Sequence, residues 1–153
     1  MNGKPLEHID WVRGYATLRR RWEPGDVVHL TMDMPVQRIK ADSHVEADTD
    51  RVSFRRGPVV YCFEGADNGG AVQNLVIPPG VEFEPEFRGA LLGGVTVLKA
   101  TAKGVFQTAA HQVVSVPFKV TAIPYYLNAN RGACPMQVWM PEREEGSRPE
   151  KQE

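Results

Sequence analysis

The sequence predicts an all-β fold, an antiparallel β-sandwich of the jelly-roll-like type. Its 153 residues contain many short runs of strand length, separated at fairly regular spacing by turn residues that include 14 Gly and 12 Pro. No convincing helical periodicity interrupts these runs. Short strands with regular turn signals are typical of sandwiches. The chain is long enough to bury a core, and it fits one complete sandwich or one complete sandwich plus part of a second.

The central strands are predicted within residues 51–68. From Arg51 to Arg56, apolar and polar side chains alternate with the period of a half-buried strand. The Gly57-Pro58 corner breaks this pattern, because Gly can take a positive φ and Pro donates no hydrogen bond. Residues 59–63 then run apolar without alternation, which is typical of a strand covered on both faces. Turn-forming residues from 64 to 70 end that strand.

Residues 1–41 are predicted to be the remnant of a first sandwich. Asn2-Gly3 is a strong hairpin-turn dipeptide. Because only Met1 precedes it, we expect the first strand of that hairpin to lie outside this sequence. Three strand candidates follow, at residues 14–22, 27–34 and 36–41.

Residues 42–141 are predicted to form the second sandwich. Beyond the central pair, its strand candidates are residues 81–87, 94–106, 111–123 and 136–140. A hairpin around Ala102-Lys103-Gly104 is the alternative to one long strand over 94–106, and Pro117 marks a bulge or an edge position. Residues 142–153 are charged, contain Pro and Gly, and are predicted to be a disordered tail.

The strand over residues 81–87 is predicted at a sheet edge. Pro85 needs no partner there, and Glu82, Glu84 and Glu86 fall on one face. Paired carboxylates are also how glycosidases work, so an enzyme that uses these three residues is an alternative. We favour the interpretation that these three charges prevent the edge strand from pairing with another sheet.

Composition excludes several classes of function. The net charge of −1 gives no electrostatic reason to expect nucleic acid as a partner. The apolar runs are too short for a membrane span, and no secretory signal is visible. Cys62 and Cys134 are predicted to be unpaired thiols of a reducing compartment, so we expect a cytoplasmic protein. A disulfide between them is the alternative, but the sequence does not show that the two lie within bonding distance. Neither has a further Cys or a His at zinc-ligand spacing, and we predict no metal ligands in this chain.

Candidate sugar or interface contacts cluster near the C-terminal end. Aromatic rings stack on sugars, and amide and guanidinium groups bond their hydroxyls. The same residues also suit a corner that satisfies loop backbone. The candidates are Tyr125, Tyr126, Asn128, Asn130, Arg131 and Trp139. No Gly-rich phosphate loop, nucleophile elbow or zinc-protease motif occurs, so we predict no catalytic residue.

Four ordered segments resemble glycoside hydrolase family 127, the β-L-arabinofuranosidase-like enzymes. One of them is RGPVVYCFE at residues 56–64, closed by Asp67-Asn68. A second consists of NGKP at residues 2–5 and GY at 14–15, and a third of WEPGDVV at 22–28 and MPV at 34–36. The fourth consists of IPYY at 123–126, ANRG at 129–132 and MQVW at 136–139. Together they cover nearly the whole chain except the tail.

The resemblance implies a place within a larger enzyme. In that family an N-terminal (α/α)6 barrel carries a cysteine nucleophile beside zinc, and the four segments belong to the β-sandwich region that follows. This sequence has no tandem Cys-Cys and no Glu-x-Cys, and Cys62 matches the sandwich motif instead. The resemblance therefore implies a non-catalytic segment that packs on a barrel and supports homo-oligomer contacts, with zinc only in the barrel. The alternative is a stand-alone carbohydrate-binding module.

Overall fold

The computed structural model describes residues 1–151, and it confirms the all-β prediction. Apart from strands, the elements in this part of the chain are four 3₁₀ turns of three residues each. The strands are β1 (Asp10–Val12), β2 (Tyr15–Thr17), β3 (Val36–Ile39), β4 (Arg51–Arg56), β5 (Val59–Glu64), β6 (Leu75–Val76), β7 (Glu84–Arg88), β8 (Val95–Gln107), β9 (Val113–Pro124), β10 (Met136–Gln137), β11 (Met140–Pro141) and β12 (Glu150–Lys151). In this described range, no helix has the length and apolar character needed to cross a membrane.

Two compact units divide the chain, an N-terminal unit (Met1–Asp33) and a main unit (Met34–Glu153). The sequence placed its boundary after Ala41 instead. The difference comes from β3, which was assigned to the first sandwich but pairs antiparallel with β4, Val36 opposite Arg56 through Ile39 opposite Ser53. Backbone hydrogen bonds therefore join β3 to the main unit.

The N-terminal unit contains less strand than its side-chain patterns predict. Only Tyr15–Thr17 of the predicted strand 14–22 pairs, in a two-stranded hairpin with β1. The predicted return strand 27–34 is not assigned as a strand at all. Alternation shows which side chains share a face, but a strand also needs a neighbour to bond. The Asn2-Gly3 turn does form, with positive φ at both residues.

One ten-stranded sheet makes up the main unit. Its principal path runs β11, β4, β5, β9, β8 and β12, with β3, β6, β7 and β10 paired alongside. The strand pairs are antiparallel except for the short one between β8 and β12, which is parallel. Strand β7 pairs with β8 alone, so it lies at an edge, as Pro85 predicts.

Strand β5 is covered on both faces from Tyr61 onward, as its unbroken apolar run predicts, whereas Val60 near its start is exposed. Tyr61 and Phe63 lie in the larger core, and Cys62 lies in a second, smaller cluster on the opposite face with Val97 and Ile123. The larger core also holds three phenylalanine rings in mutual contact, with centroids 4.4 to 6.2 Å apart. Its buried hydrophobic members are Val52, Phe54, Tyr61, Phe63, Val72, Leu75, Ile77, Phe83, Leu98, Ala102, Val120, Ala122 and Met140.

Three ambiguous segments resolve clearly. Residues 95–107 form one long strand, so the alternative hairpin around residue 102 is wrong. Pro117 sits in unbroken register opposite Lys103 on β8, and the pairing of β9 with β5 begins only at Ala122. Pro117 therefore faces an open edge and makes no bulge. The predicted single strand 136–140 divides into β10 on β5 and β11 on β4.

The predicted tail contains two short ordered elements. A 3₁₀ turn spans Glu144–Gly146, and β12 pairs with Phe106 and Gln107. The backbone N–H of Arg148 donates to the carbonyl of Gln73 at 2.8 Å. Residues 152 and 153 of the predicted disordered tail lie outside the described residues.

Candidate functional site

An ion-pair network lies where β5 ends. Glu64, the last residue of β5, is fully buried, and Asp67 follows in the next 3₁₀ turn. Arg131 reaches both from the loop after β9. Its guanidinium donates to Glu64 Oε2 at 2.7 Å and to Asp67 Oδ1 at 2.8 Å, and it also contacts Asp67 Oδ2. One cation thus faces two carboxylates.

Glu64 also fixes the backbone of the loop that carries Arg131. The N–H of Ala129 donates to Glu64 Oε1 at 2.7 Å. Ala129 has a φ of +63°, in the left-handed region that costs a non-Gly residue energy. The buried carboxylate therefore holds the loop through both a side chain and a strained backbone position.

Asn68 ties the same corner to β9. Its Nδ2 donates to the carbonyls of Glu64 at 2.7 Å and Thr121 at 2.9 Å. Its Oδ1 accepts from the N–H of Thr121 at 2.9 Å. The side chain thus behaves like a short piece of strand that continues the β-ladder, which explains why an asparagine is buried here.

The backbone at Gly65 lies so close to the backbone at Gly70 that position 65 has no room for a side chain. A Cβ at this position would lie 2.6 Å from the carbonyl oxygen of Gly70. The two residues are also joined by a hydrogen bond from the Gly70 N–H to the Gly65 carbonyl at 2.8 Å. The N–H of Gly65 donates in turn to the carbonyl of Pro135. Contacts within the fold therefore explain the residue type at four of the five positions 64–68, all but Ala66.

The network shifts the ionisation of its neighbours. The hydrogen bond to Asp67 is the chief reason that the pKa of Arg131 is raised, with a further contribution from Glu64. Burial, together with the charges of Glu64 and Asp67, raises the pKa of the Cys62 thiol to about 12. A nucleophilic cysteine needs its thiolate, so Cys62 is unsuited to covalent catalysis near neutral pH.

The predicted sugar-contact residues divide into two groups. Tyr125 and Tyr126 form a 3₁₀ turn after β9 and are 49% and 70% exposed. Asn128 follows them and donates its backbone N–H to the Tyr125 carbonyl, and Asn130 is exposed. These four residues share one surface loop. Arg131 closes the loop, but both of its carboxylate partners are internal.

Trp139 lies apart from that loop in the chain, between β10 and β11. It is half-buried, and its carbonyl accepts hydrogen bonds from Arg51 at 3.0 Å and from the Gln137 side chain at 2.8 Å. The contacts described for Trp139 thus involve its backbone and attach it to the sheet. None of them joins it to the two tyrosines.

In the acidic edge strand, two basic side chains neutralise Glu86. Glu86 accepts from Lys99 Nζ at 2.8 Å and from Arg88 Nε at 2.9 Å. The hydrogen bond from Lys99 is the largest cause of a lowered pKa at Glu86. A general acid needs a raised pKa, so Glu86 does not suit the glycosidase alternative.

A second polar cluster joins β3 to the segment after β11. Glu142, with 6% of its side chain exposed, accepts from Arg38 at 2.9 Å and pairs with Lys40 at 3.2 Å. Arg38 also donates to the carbonyls of Ile77 and Pro78. Burial alone would raise the pKa of Glu142, but the hydrogen bonds from Arg38 and Lys40 outweigh it and lower that pKa.

Sequence reasoning did not assign Glu64, Asp67, Asn68 or Glu142 to a site. The available signal was the unusual placement of a glutamate directly after five apolar residues, which predicts a buried charge that needs a partner. In residues 1–151, no group of three or more His, Cys, Asp or Glu side chains is arranged to hold a metal ion.

Comparison with known proteins identifies the family. The profile of the glycoside hydrolase family 127 C-terminal domain matches residues 36–141. A non-reducing end β-L-arabinofuranosidase from Bifidobacterium longum aligns with 84% of this chain at 32% sequence identity. The aligned part makes up 24% of that enzyme.

Solved structures agree with this assignment. A family 127 β-arabinofuranosidase matches 97% of this chain with a TM-score of 0.85 and 34% identity, and 23% of that protein is covered. A family 127 β-L-arabinofuranosidase from Geobacillus stearothermophilus T6 matches 72% of the chain with a TM-score of 0.68 and 38% identity, over 18% of its own length. The chain thus spans about a quarter of the relatives it matches, and it belongs to glycoside hydrolase family 127, with the family's C-terminal domain at residues 36–141.

Proposed function

We propose that this chain is a non-catalytic β-sandwich segment of a β-L-arabinofuranosidase-like hydrolase. Its role is to pack against a catalytic (α/α)6 barrel and to support oligomer contacts. The observation that carries the proposal is the internal use of the motif residues. Glu64, Asp67, Asn68 and Arg131 satisfy one another and the backbone of two loops. They serve architecture and leave no acid, base or nucleophile free for a substrate.

The zinc–thiolate chemistry implied by the family does not fit the described residues. A cysteine binds zinc or acts as a nucleophile in its thiolate form, and Cys62 is a buried thiol with its pKa raised to about 12. The other cysteine, Cys134, is free and half-buried. We therefore assign zinc to the barrel and derive no catalytic step in this chain.

An open apolar groove in the main unit supports the packing role. It has a volume of about 580 Å³ and lies between β3 and the segment before β7. Its apolar lining comes from Met34, Val36, Phe54, Val81, Phe83 and Pro85. A surface of this kind suits contact with another folded body.

The proposal is tested by assaying the isolated chain on a β-L-arabinofuranoside with added zinc. We expect no arabinose release above the buffer rate, because no group in residues 1–151 is arranged to hold zinc and Cys62 is a buried thiol with a raised pKa. The full-length Bifidobacterium longum relative serves as the positive control. Arabinose release by this chain, abolished by a chelator or by Cys62→Ala, would refute the non-catalytic role.

A carbohydrate-binding module is the second candidate, favoured by one observation. Tyr125 and Tyr126 present adjacent, largely exposed rings on a loop that Glu64 and Arg131 hold in place. Rigid aromatic residues lose little conformational entropy on binding. Titration with arabinosides and plant-wall oligosaccharides should then give binding that Tyr126→Ala weakens and Phe87→Ala leaves unchanged. Flat titrations would exclude this candidate.

We also propose that the protein works in the cytoplasm. Its support is the state of Cys62 and Cys134, which are both free. Unpaired cysteines suit a compartment in which thiols are kept reduced. The melting temperature of the chain should be the same with and without a strong reductant, whereas a loss of stability on reduction would contradict this assignment.

A further inference from the structure

We propose that Arg56 is a docking residue of the main unit and pairs with a carboxylate on the catalytic barrel. The inference rests on the packing role proposed above and deepens it, because it names the contact residue and the chemistry of its partner. The partner is an aspartate or glutamate side chain at the surface of the barrel that packs on this segment.

The side chain of Arg56 is held in a defined place at the end of β4. It is half-buried, and its backbone pairs with Val59 across the turn at Gly57-Pro58. Gly57 has a φ of +56°, and a Cβ there would lie 3.0 Å from Met34 Cε. Met34 therefore packs directly on the turn, and its Sδ lies 3.9 Å from Arg56 Nη1.

The guanidinium of Arg56 has no counter-charge among the described residues. In residues 1–151, no carboxylate oxygen lies within 4.0 Å of its nitrogens. Its Nε is enclosed and has no hydrogen-bond partner there. The Met34 sulfur is a weak and neutral acceptor. A buried cation without an anion is costly, so the site is completed by a negative group.

The nearby Tyr61 does not supply that negative charge. Its hydroxyl donates to the carbonyl of Thr96 at 3.0 Å. Burial raises the pKa of Tyr61, and the positive charge of Arg56 opposes that rise without cancelling it. Tyr61 is therefore a neutral phenol near neutral pH, and it offers Arg56 at most an oxygen lone pair.

The other half-buried arginines in the described part of the chain show what Arg56 lacks. Arg38, Arg88 and Arg131 each pair with a carboxylate. Arg51 donates to a backbone carbonyl at 3.0 Å. Each guanidinium at this level of burial thus has a carboxylate or carbonyl partner, and Arg56 is the exception that calls for a carboxylate from another body.

The surroundings of Arg56 favour a protein carboxylate over a small acid. Met34, which contacts the guanidinium, also lines the apolar groove together with Val36, Val81 and Pro85. An arginine beside apolar side chains is the composition that protein interfaces concentrate at their centres. A folded partner that fills the groove removes water from the ion pair, which strengthens the attraction between the two charges.

The test compares the same substitution in two proteins. One is this chain alone, and the other is the Bifidobacterium longum relative with its matched quarter replaced by this chain. Alone, Arg56→Met should be at least as stable to urea as the wild type, because it removes a half-buried charge that has no partner. In the chimera, Arg56→Met should shorten the half-life of activity at an inactivating temperature by about tenfold or more, because a barrel carboxylate loses its partner.

Two further variants isolate the effect of the charge. Arg56→Lys keeps a cation and should retain most of the half-life of the chimera. Arg55→Met is the matched control, because Arg55 is the adjacent exposed arginine and donates to Gln37 instead. It should leave both proteins unchanged. Carbodiimide joins an amine to a carboxylate in contact with it, so it should link the new lysine of Arg56→Lys to an aspartate or glutamate of the barrel, which mass spectrometry then identifies.

Several results would overturn the proposal. They are a chimera whose half-life Arg56→Met leaves unchanged, an isolated chain that Arg56→Met destabilises as much as the chimera, and a cross-link that reaches no carboxylate of the barrel. Glucuronate that raises the melting temperature of this chain, where glucose and Arg56→Met show no such rise, would assign the site to a small acid and also overturn it. The arabinose assay decides the non-catalytic role separately, so the two can fail independently.

Discussion

At the scale of single residues, Arg131 determines the candidate site. Within residues 1–151 it is the one cation that pairs with Glu64 and Asp67, and these partners are 67 and 64 positions away in sequence. The sequence places Arg131 among six candidate contacts, and the structure shows instead that it holds the loop from inside. That pairing could not be read from spacing, because only the register of β5 against β9 brings the two segments together.

Removing Arg131 should destabilise the fold strongly. Arg131→Ala leaves the fully buried Glu64 without its counter-charge, and the loss of one partner of a buried pair costs about 3 kcal/mol or more. Urea denaturation followed by circular dichroism measures the change. The matched control is Arg143→Ala, since Arg143 is exposed and lies 4.0 Å from Asp50. We expect the control to change stability by about 0.5 kcal/mol or less. Equal effects of the two variants would contradict the role of the network.

Glu142 should make stability depend on pH in the acid range. Its pKa in the folded state lies below the ordinary value of 4.5, so it contributes stability at pH values above 4.5. That contribution is lost as the pH falls through the lowered pKa. Glu142→Gln should therefore be less stable than the wild type at neutral pH, and the difference should shrink below pH 4.5. A difference that stays constant from neutral pH into the acid range would exclude this ion pair as its source.

At the scale of elements, the sequence predicts a strand correctly where the pattern of neighbouring residues is sufficient. It fails where the strand depends on pairing with a segment that is distant in sequence. The hairpin β4–β5 follows from alternation, an unbroken apolar run and a Gly-Pro corner, and all three are local. Residues 28–33 of the predicted strand 27–34 alternate equally well, but within residues 1–151 no backbone hydrogen bond reaches them. Residues 136–140 divide because the chain crosses from β5 to β4, a step that no local pattern indicates.

The corner after β5 should not tolerate a side chain at Gly65. Gly65→Ala places a methyl group 2.6 Å from the Gly70 carbonyl oxygen, so the backbone must shift. Overpacking of this kind costs about 1–3 kcal/mol. Gly89→Ala is the control, because its added methyl would meet only Phe87 Cε1 at 3.7 Å, an ordinary contact. Thermal unfolding compares the two variants, and a Gly65→Ala protein as stable as the control would disprove the steric argument.

At the scale of the whole molecule, the fold class and the family could be predicted from the sequence alone. Turn spacing gave the all-β class, and four ordered motifs gave family 127. The boundary between compact units could not be predicted, because it depends on which strand β3 joins. The chemistry of the site was also out of reach, since residue type alone does not show that Cys62 and Glu64 are fully buried or that burial raises the pKa of the Cys62 thiol.

We propose that this segment supports a catalytic barrel without contributing its own chemistry. The most direct test uses the Bifidobacterium longum relative, of which this chain matches 24%. Three proteins are compared by their rate of arabinose release: the intact relative, the relative without the matched quarter, and the relative with that quarter replaced by this chain. We predict that deletion abolishes activity and that replacement restores it. Full activity of the deleted protein would contradict the account.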